Sequence, residues 1–364
     1  MSELLLIDVL NNPNRLLNID DKLSYKIITE ARHLSLLGQL KASCDRAHIE
    51  QDLPLHTQQQ LQSGFHSYQK QQQQLLLEHQ NLSEQLHGVI NSWRYLRGSA
   101  LQLLDNNMFA GRIKNNIDIY VPQQHVANVE KELLNNGWRY KNIADYEETF
   151  YRRWAQQTTP LIHKQRRTEL AIHFQLLPKT LSNKLNSAPL LHHHLSPSIC
   201  EPATLLSPDA MVLHQAIMLF NQIDYHYGLR DIYNLYLQFV YFSQHPTFWH
   251  HLIQLHQQLG NDNSLYLAVS LCQRLFNLSV PETALAYFRQ HKLDRFSYWL
   301  YRQHFINAFR HQFPLHHNIS YRDSVKSLRF RGRLKQMPIY CIVPHIIKRL
   351  IINNIPHDDE EVIY

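Results

Sequence analysis

The chain has 364 residues, of which 44% are hydrophobic, 18% are charged and only 9 are glycine. This composition excludes a disordered chain and favours a helix-rich globular protein with one large domain or two moderate ones. The formal net charge of +6 is typical of proteins with anionic partners such as nucleotides, nucleic acid or acidic lipid headgroups, but it does not single out one of them.

The positions of the cysteines and the hydropathy of the sequence indicate in which cellular compartment we expect the protein. The four cysteines, Cys44, Cys200, Cys272 and Cys341, stand far apart and form no C-x-x-C pair, so we do not expect a cysteine zinc site. The sequence shows no signal peptide and no run of roughly 20 apolar residues. We therefore expect reduced thiols in a cytoplasmic protein.

Residues 1–88 are predicted to form a helical N-terminal region. The run 53–86 contains almost no Gly or Pro, and Leu75, Leu82 and Leu86 recur at spacings that place them on one helical face. This pattern predicts one long helix that leads into the next segment.

Residues 89–178 alternate short apolar runs with helical stretches, which predicts a small mixed α/β core. The turn and breaker residues between these runs set the expected boundaries. The expected strands cover 93–96, 117–121, 138–140, 149–154 and 169–176, and the expected helices cover 100–104 and 123–134.

The remainder of the chain divides into three parts. Residues 179–206 carry several prolines and are predicted to form a connector. Residues 207–312 are predicted to be all-helical, because Ser207-Pro208-Asp209 is typical of a helix N-terminus. The expected fold class is therefore α+β, with a small mixed-sheet core embedded between a helical N-terminal region and an all-helical C-terminal region.

Residues 313–364 form a tail that is first basic and then apolar. Two alternatives remain open for it. The tail contacts an anionic membrane surface, or it forms a basic solvated helix followed by a packed segment. The sequence shows no strong nucleic-acid signal.

One constellation in the predicted core points to phosphate chemistry. A Gly-Ser turn at a helix start lets backbone N–H groups approach phosphates, and acids two residues apart on a strand share a face that can hold Mg²⁺. Here Gly98-Ser99 form the turn, and Asn116 and Asp118 follow on a predicted strand, with Asn116 eighteen residues after Gly98.

Five short stretches of the sequence, taken together and in their order along the chain, carry a family resemblance. The chain resembles bacterial nucleotidyltransferase-family proteins of the DNA polymerase β superfamily, within an uncharacterised group that has helical N- and C-terminal regions. The resemblance covers roughly residues 30 to 300, and no single motif is specific without the others. The stretches are Arg97-Gly98-Ser99-Ala100-Leu101, the segment 112–121, Asn136-Gly137-Trp138, the segment 171–176 and Leu206-Ser207-Pro208-Asp209-Ala210.

The resemblance implies transfer of a nucleotide from an NTP to an unknown acceptor, which is a protein, a sugar or a small molecule. It also implies Mg²⁺ as the cofactor. Asp118 and Asn116 fall on the catalytic positions of the strand, and Asp118 on a metal position. The implied nucleotide-binding residues are Arg97, Gly98, Ser99 and Arg112.

The departures from the family pattern bear on activity. The first strand acid is replaced by Asn116, and the third falls on Ala171. Glu169 is a candidate replacement metal ligand, which requires the strand to shift by about 6.6 Å, or two strand residues. Two functions therefore remain open: a working nucleotidyltransferase, or a pseudoenzyme that binds a nucleotide or a protein without turnover.

Overall fold

The computed structural model describes residues 6–104, 106–143, 145–260, 262–290, 293–310, 319–336 and 342. The described part of the chain begins with four α-helices, α1 (Leu6–Asn11), α2 (Asp21–His33), α3 (Leu37–Arg46) and α4 (Leu55–Leu86). The long helix predicted over 53–86 is confirmed by α4, in which Leu75, Leu82 and Leu86 are fully buried.

A mixed seven-stranded sheet forms the centre of the molecule, in the order β3-β4-β5-β2-β1-β7-β6. The central strand β2 runs parallel to β5 and antiparallel to β1, and β1 runs parallel to β7. The strands are β1 (Arg94–Tyr95), β2 (Ile117–Tyr120), β3 (Trp138–Tyr140), β4 (Leu161–His163), β5 (Glu169–His173), β6 (His194–Leu195) and β7 (Thr204–Leu206).

Four helices accompany the sheet: α5 (Arg97–Leu103), α6 (Val126–Asn135), α7 (Asp145–Phe150) and α8 (Lys179–Ser182). The strand predicted over 149–154 is wrong, because α7 continues there into a π-helical turn, Tyr151–Ala155. Phe150 and Tyr151, which fall within that predicted strand, instead line a cavity. Tertiary contacts override β propensity at this position.

The connector predicted over 179–206 contains more structure than expected. Its strands β6 and β7 extend the sheet, and β7 pairs directly with β1. Both strands are two or three residues long, too short for an alternation of apolar residues to show in the sequence.

Seven helices complete the described chain and confirm the helical C-terminal prediction. Ser207 occupies the N-cap position of the first of them, with Pro208 in its first turn, although the serine side chain makes no capping hydrogen bond. The apolar part of the predicted tail, residues 337–352, lies outside the described residues, apart from Ile342. The helices are α9 (Pro208–Asn221), α10 (Gly228–Phe242), α11 (Phe248–Leu259), α12 (Asn263–Phe276), α13 (Glu282–Gln290), α14 (Arg295–Arg310) and α15 (Ile319–Gln336).

A buried ion pair ties the long helix α4 to the sheet. The Glu78 carboxylate is fully buried and accepts hydrogen bonds from Arg166 Nε at 2.7 Å and from Thr168 Oγ1 at 2.6 Å. Arg166 and Thr168 lie in the turn between β4 and β5, so this contact fixes the start of β5 against α4. In the described part of the chain, no helix has the length and apolar character required to cross a bilayer.

Candidate functional site

A cavity of about 390 Å³ lies between the centre of the sheet and the C-terminal helices. Its sheet side carries Arg97, Asp118 and His173, and its helical side carries Tyr227 and Arg230 from the start of α10. The volume falls within the range of roughly 300–1,000 Å³ that is typical of small-molecule sites.

The segment that leads into β2 is held in place by two glutamines. Gln71 of α4 accepts a hydrogen bond from the Lys114 backbone N–H at 2.9 Å and donates one to the Lys114 carbonyl at 3.1 Å. Gln102 of α5 donates to the Arg112 carbonyl at 2.7 Å. The cationic side chains of Arg112 and Lys114 are therefore presented to the cavity from a fixed backbone.

Gly98 makes room for one of these side chains. A Cβ atom at this position would lie 2.6 Å from Arg112 Nη1 and 3.1 Å from the Cβ of Lys114. The preceding residue, Arg97, has a φ of +50°, a left-handed conformation that is uncommon outside glycine. The Arg97-Gly98 turn thus brings two guanidinium groups to the edge of the cavity.

The Asp118 carboxylate lines the cavity, is buried, and already has hydrogen-bond partners. Its Oδ1 atom accepts a hydrogen bond from His173 Nε2 at 2.8 Å and one from Asn116 Nδ2 at 3.3 Å. The Arg97 guanidinium lies 3.8 Å from the same oxygen. Within the described residues, these three groups surround one oxygen of the carboxylate retained on β2.

The ionisation of this cluster follows from its contacts. Burial alone would raise the pKa of Asp118, but the Arg97 charge and the hydrogen bonds from His173 and Asn116 outweigh it and hold that pKa below its usual value. Burial lowers the pKa of His173, ahead of the opposing hydrogen bond to Asp118. At neutral pH the site therefore contains an ionised carboxylate and a neutral imidazole that donates from Nε2.

Three further cations face the cavity. Burial, reinforced by repulsion from Arg230, lowers the pKa of Arg112 to about 10. Burial, reinforced by the Arg112 charge, lowers the pKa of Lys114 to about 8. Arg230 lies over the Tyr227 ring at 4.2 Å and donates to Asp231 at 3.0 Å.

The charge balance of this cavity favours an anion. Arg97, Arg112, Lys114 and Arg230 face it, against the carboxylates Asp118, Asp224 and Asp231. Arg112 Nε is buried with no hydrogen-bond partner among the described residues, so this cluster of cations is incompletely satisfied. Arginine is well suited to bind phosphate or carboxylate through several hydrogen bonds.

The residues present do not fit a pair of Mg²⁺ ions. The β2–β5 register places Ala171, not Glu169, directly beside Asp118. Glu169 does not line the cavity, and its carboxylate pairs with Lys141 Nζ at 2.9 Å, so the two-residue shift that would make it a ligand does not occur. The described residues contain no cluster of three or more His, Cys, Asp or Glu side chains placed to hold a metal. Mg²⁺ prefers several carboxylate oxygens, whereas on β2 and β5 the neighbours of Asp118 are an amide and a methyl group, and Asp231 on the helical side is paired with Arg230.

The structure brings together most of the site residues predicted from sequence. Arg97, Gly98, Arg112, Asn116 and Asp118 all line the cavity. Ser99 does not, since it is fully buried and its hydroxyl donates to the Asn116 carbonyl at 3.5 Å.

Sequence reasoning missed several cavity residues. Lys114 carries a usable signal, because it continues the alternation of polar residues at 114, 116 and 118. Arg230, Asp231 and Tyr227 carry none, since they come from a helix more than one hundred residues away in the chain and only the fold brings them to the sheet.

The chain was compared with models of protein families, with curated proteins and with solved structures. A family model described as an uncharacterised nucleotidyltransferase matches residues 24–277. No curated protein and no solved structure matched the chain.

Proposed function

The chain belongs to the uncharacterised nucleotidyltransferase family, and from this premise we propose that it binds the phosphate chain of a nucleotide directly, without metal-dependent transfer. In this proposal the cations of the cavity take the place that metal ions and their carboxylates hold in an active transferase. The protein then acts as a nucleotide-binding pseudoenzyme.

The observation that carries the proposal is the state of Asp118. Its Oδ1 accepts from His173 and Asn116 and lies near Arg97, while its neighbour on β5 is Ala171. A carboxylate neutralised by a guanidinium and by hydrogen-bond donors is a weak ligand for a divalent ion, because the ion would have to displace those contacts.

The arrangement of the cations supports the same proposal. Arg112 and Lys114 are at most one-tenth exposed and are held by backbone contacts, so little side-chain entropy is lost when they bind an anion. Arg230 lies close to Arg112, because both guanidinium groups approach Asp231 Oδ1, at 3.0 Å and 3.9 Å. A phosphate chain bound here would contact this paired set of cations.

Calorimetry with ATP, with and without Mg²⁺, tests the proposal. We expect binding in EDTA to match binding with Mg²⁺ within about threefold, because the ligand is held by protein cations. Arg112→Gln should weaken binding by about 10- to 100-fold, the value of a charge-assisted hydrogen bond. Arg139→Gln, on the exposed surface of β3, is the matched control and should bind as the wild type does.

The alternative is metal-dependent nucleotidyl transfer to a protein, sugar or small-molecule acceptor. One observation favours it: Asp118 is retained, buried and held ionised. Binding that requires Mg²⁺ and is lost in Asp118→Ala would support this alternative and overturn the pseudoenzyme. Absence of nucleotide binding in both conditions would contradict both functions.

A further inference from the structure

The helix pair α14/α15 carries more positive charge than the chain as a whole. Its two segments contain nine Arg and Lys residues and a single acidic residue, Asp323, for a formal charge of +8 against +6 for the entire protein. The rest of the chain is therefore slightly acidic, and the basic character noted from composition is concentrated on this helix pair.

Part of this charge forms a solvent-exposed stripe. Arg322, Lys326 and Arg329 are all exposed and lie four and three residues apart, so they share one face of α15. The opposite face packs inward, with Ser324 and Leu328 buried. The stripe is thus presented outward by a helix that is anchored to the protein body.

Exposed apolar side chains lie beside the stripe. Phe330 is 55% exposed and Leu334 is 40% exposed, on the face of α15 adjacent to the cations. On α14, Phe296 is 70% exposed and Trp299 is 58% exposed. Large aromatic side chains are seldom left in water without a binding role when several occur together.

The two helices run antiparallel, which brings the exposed apolar side chains of α14 and α15 to the same end of the pair. Ser324 of α15 contacts His304 and Asn307 of α14, each at 3.1 Å. Arg331 lies over the ring of Tyr301, earlier in α14. Because chain numbers rise on one helix as they fall on the other, the start of α14 with Trp299 lies near the end of α15 with Phe330.

We propose that this face of the α14/α15 pair binds the surface of an anionic membrane, independently of the nucleotide function. Its cations attract acidic headgroups, and its aromatic and leucine side chains enter the interfacial layer, where Trp and Phe are favoured. The exposed Leu334 favours lipid over nucleic acid, because stacking on bases uses planar side chains.

Sedimentation of the full chain with lipid vesicles tests this inference. We expect binding to vesicles that contain phosphatidylglycerol, weaker binding as salt rises, and no binding to pure phosphatidylcholine. Each exposed cation contributes about a fivefold gain in partitioning, so the triple variant Arg322→Gln/Lys326→Gln/Arg329→Gln should lose about 100-fold. The matched control, Lys22→Gln/Lys70→Gln/Lys131→Gln, removes three exposed cations elsewhere and should retain binding.

Tryptophan fluorescence gives a second readout on the same vesicles. Trp93, Trp138 and Trp249 are buried and Trp154 is half-buried, whereas Trp299 is exposed, so insertion of Trp299 should shift the emission to shorter wavelength. Trp299→Phe should abolish that shift while largely retaining sedimentation. Equal binding by the two triple variants, no vesicle binding, or preferential binding to a single-stranded oligonucleotide would each overturn the inference.

Discussion

Gly98→Ala adds one carbon atom at the point where the turn meets the cations. The new Cβ would lie 2.6 Å from Arg112 Nη1 and 3.0 Å from its Cζ, closer than such contacts allow. Arg112 is only 6% exposed to solvent but lines the cavity, so its guanidinium relieves the contact by moving away from Gly98. The substitution therefore displaces the buried cation from its position in the cavity.

The expected magnitudes follow from the contacts that change. Displacement breaks the hydrogen bond from Arg112 Nη1 to the Ile113 carbonyl, 2.8 Å long, which is worth about 1.5–3 kcal/mol for a charged donor. Alanine recovers about 0.5–1 kcal/mol, because Gly98 lies in helix α5 and alanine is the better helix former. We expect a loss in unfolding free energy of about 0.5–2.5 kcal/mol, and a loss in ATP affinity of about 10- to 100-fold.

Two measurements separate these effects. Thermal unfolding gives the stability change, and calorimetry in EDTA gives the affinity. In an Arg112→Gln background the same glycine substitution should change affinity by less than about threefold, because the group it displaces has lost its charge. If Gly98→Ala binds ATP as the wild type does, or if its effect persists unchanged in that background, the assigned role of Arg112 is refuted.

Three further predictions follow from the site and its support. Since the pKa of Lys114 is lowered to about 8, its charge is lost as pH rises through that value, so ATP affinity should fall between pH 7 and pH 9; Lys114→Met should bind more weakly at pH 7 and show no such fall. The double variant Asn116→Asp/Ala171→Asp places acids at both positions and should lower the free energy of unfolding by about 3–5 kcal/mol in EDTA. In thermal unfolding, Mg²⁺ should recover a large part of that stability, whereas it should not change the stability of the wild type. Glu78→Ala leaves Arg166 without its buried partner and should cost about 3–5 kcal/mol in denaturant unfolding, while ATP affinity at pH 7 and a temperature where the variant is folded should fall only slightly, because the Glu78 charge helps to keep Lys114 protonated.

The long and strongly patterned elements were predictable from sequence. Helix α4 follows from its leucine spacing, and β2 from an alternating run that ends at a proline. Strand β4 and the π-helical turn at 151–155 were not, because each depends on contacts with distant segments rather than on local preference. The general position of α9 followed from Ser207 and Pro208.

The residues of the candidate site also divide into those that local sequence predicts and those that depend on distant contacts. Residues on the turn and on β2 were found because their spacing in the chain is short and fixed. The choice of Ala171 over Glu169 beside Asp118 needed the β2–β5 register, and that register is set by pairing across more than fifty residues. The position of Arg230 in the cavity depends on how α10 packs against the sheet, and no local sequence pattern predicts that packing.

The long-range contacts of α1, α3 and β1 have a consequence for synthesis on the ribosome. Asn11 in α1 donates to the Leu275 carbonyl, 264 residues later, and Gln39 in α3 donates to Asn234 in the interior. Strand β1 pairs with β7, which is synthesised more than one hundred residues later. The first helices therefore lack these distant partners until most of the chain has left the exit tunnel, so we expect their final packing to form late in translation.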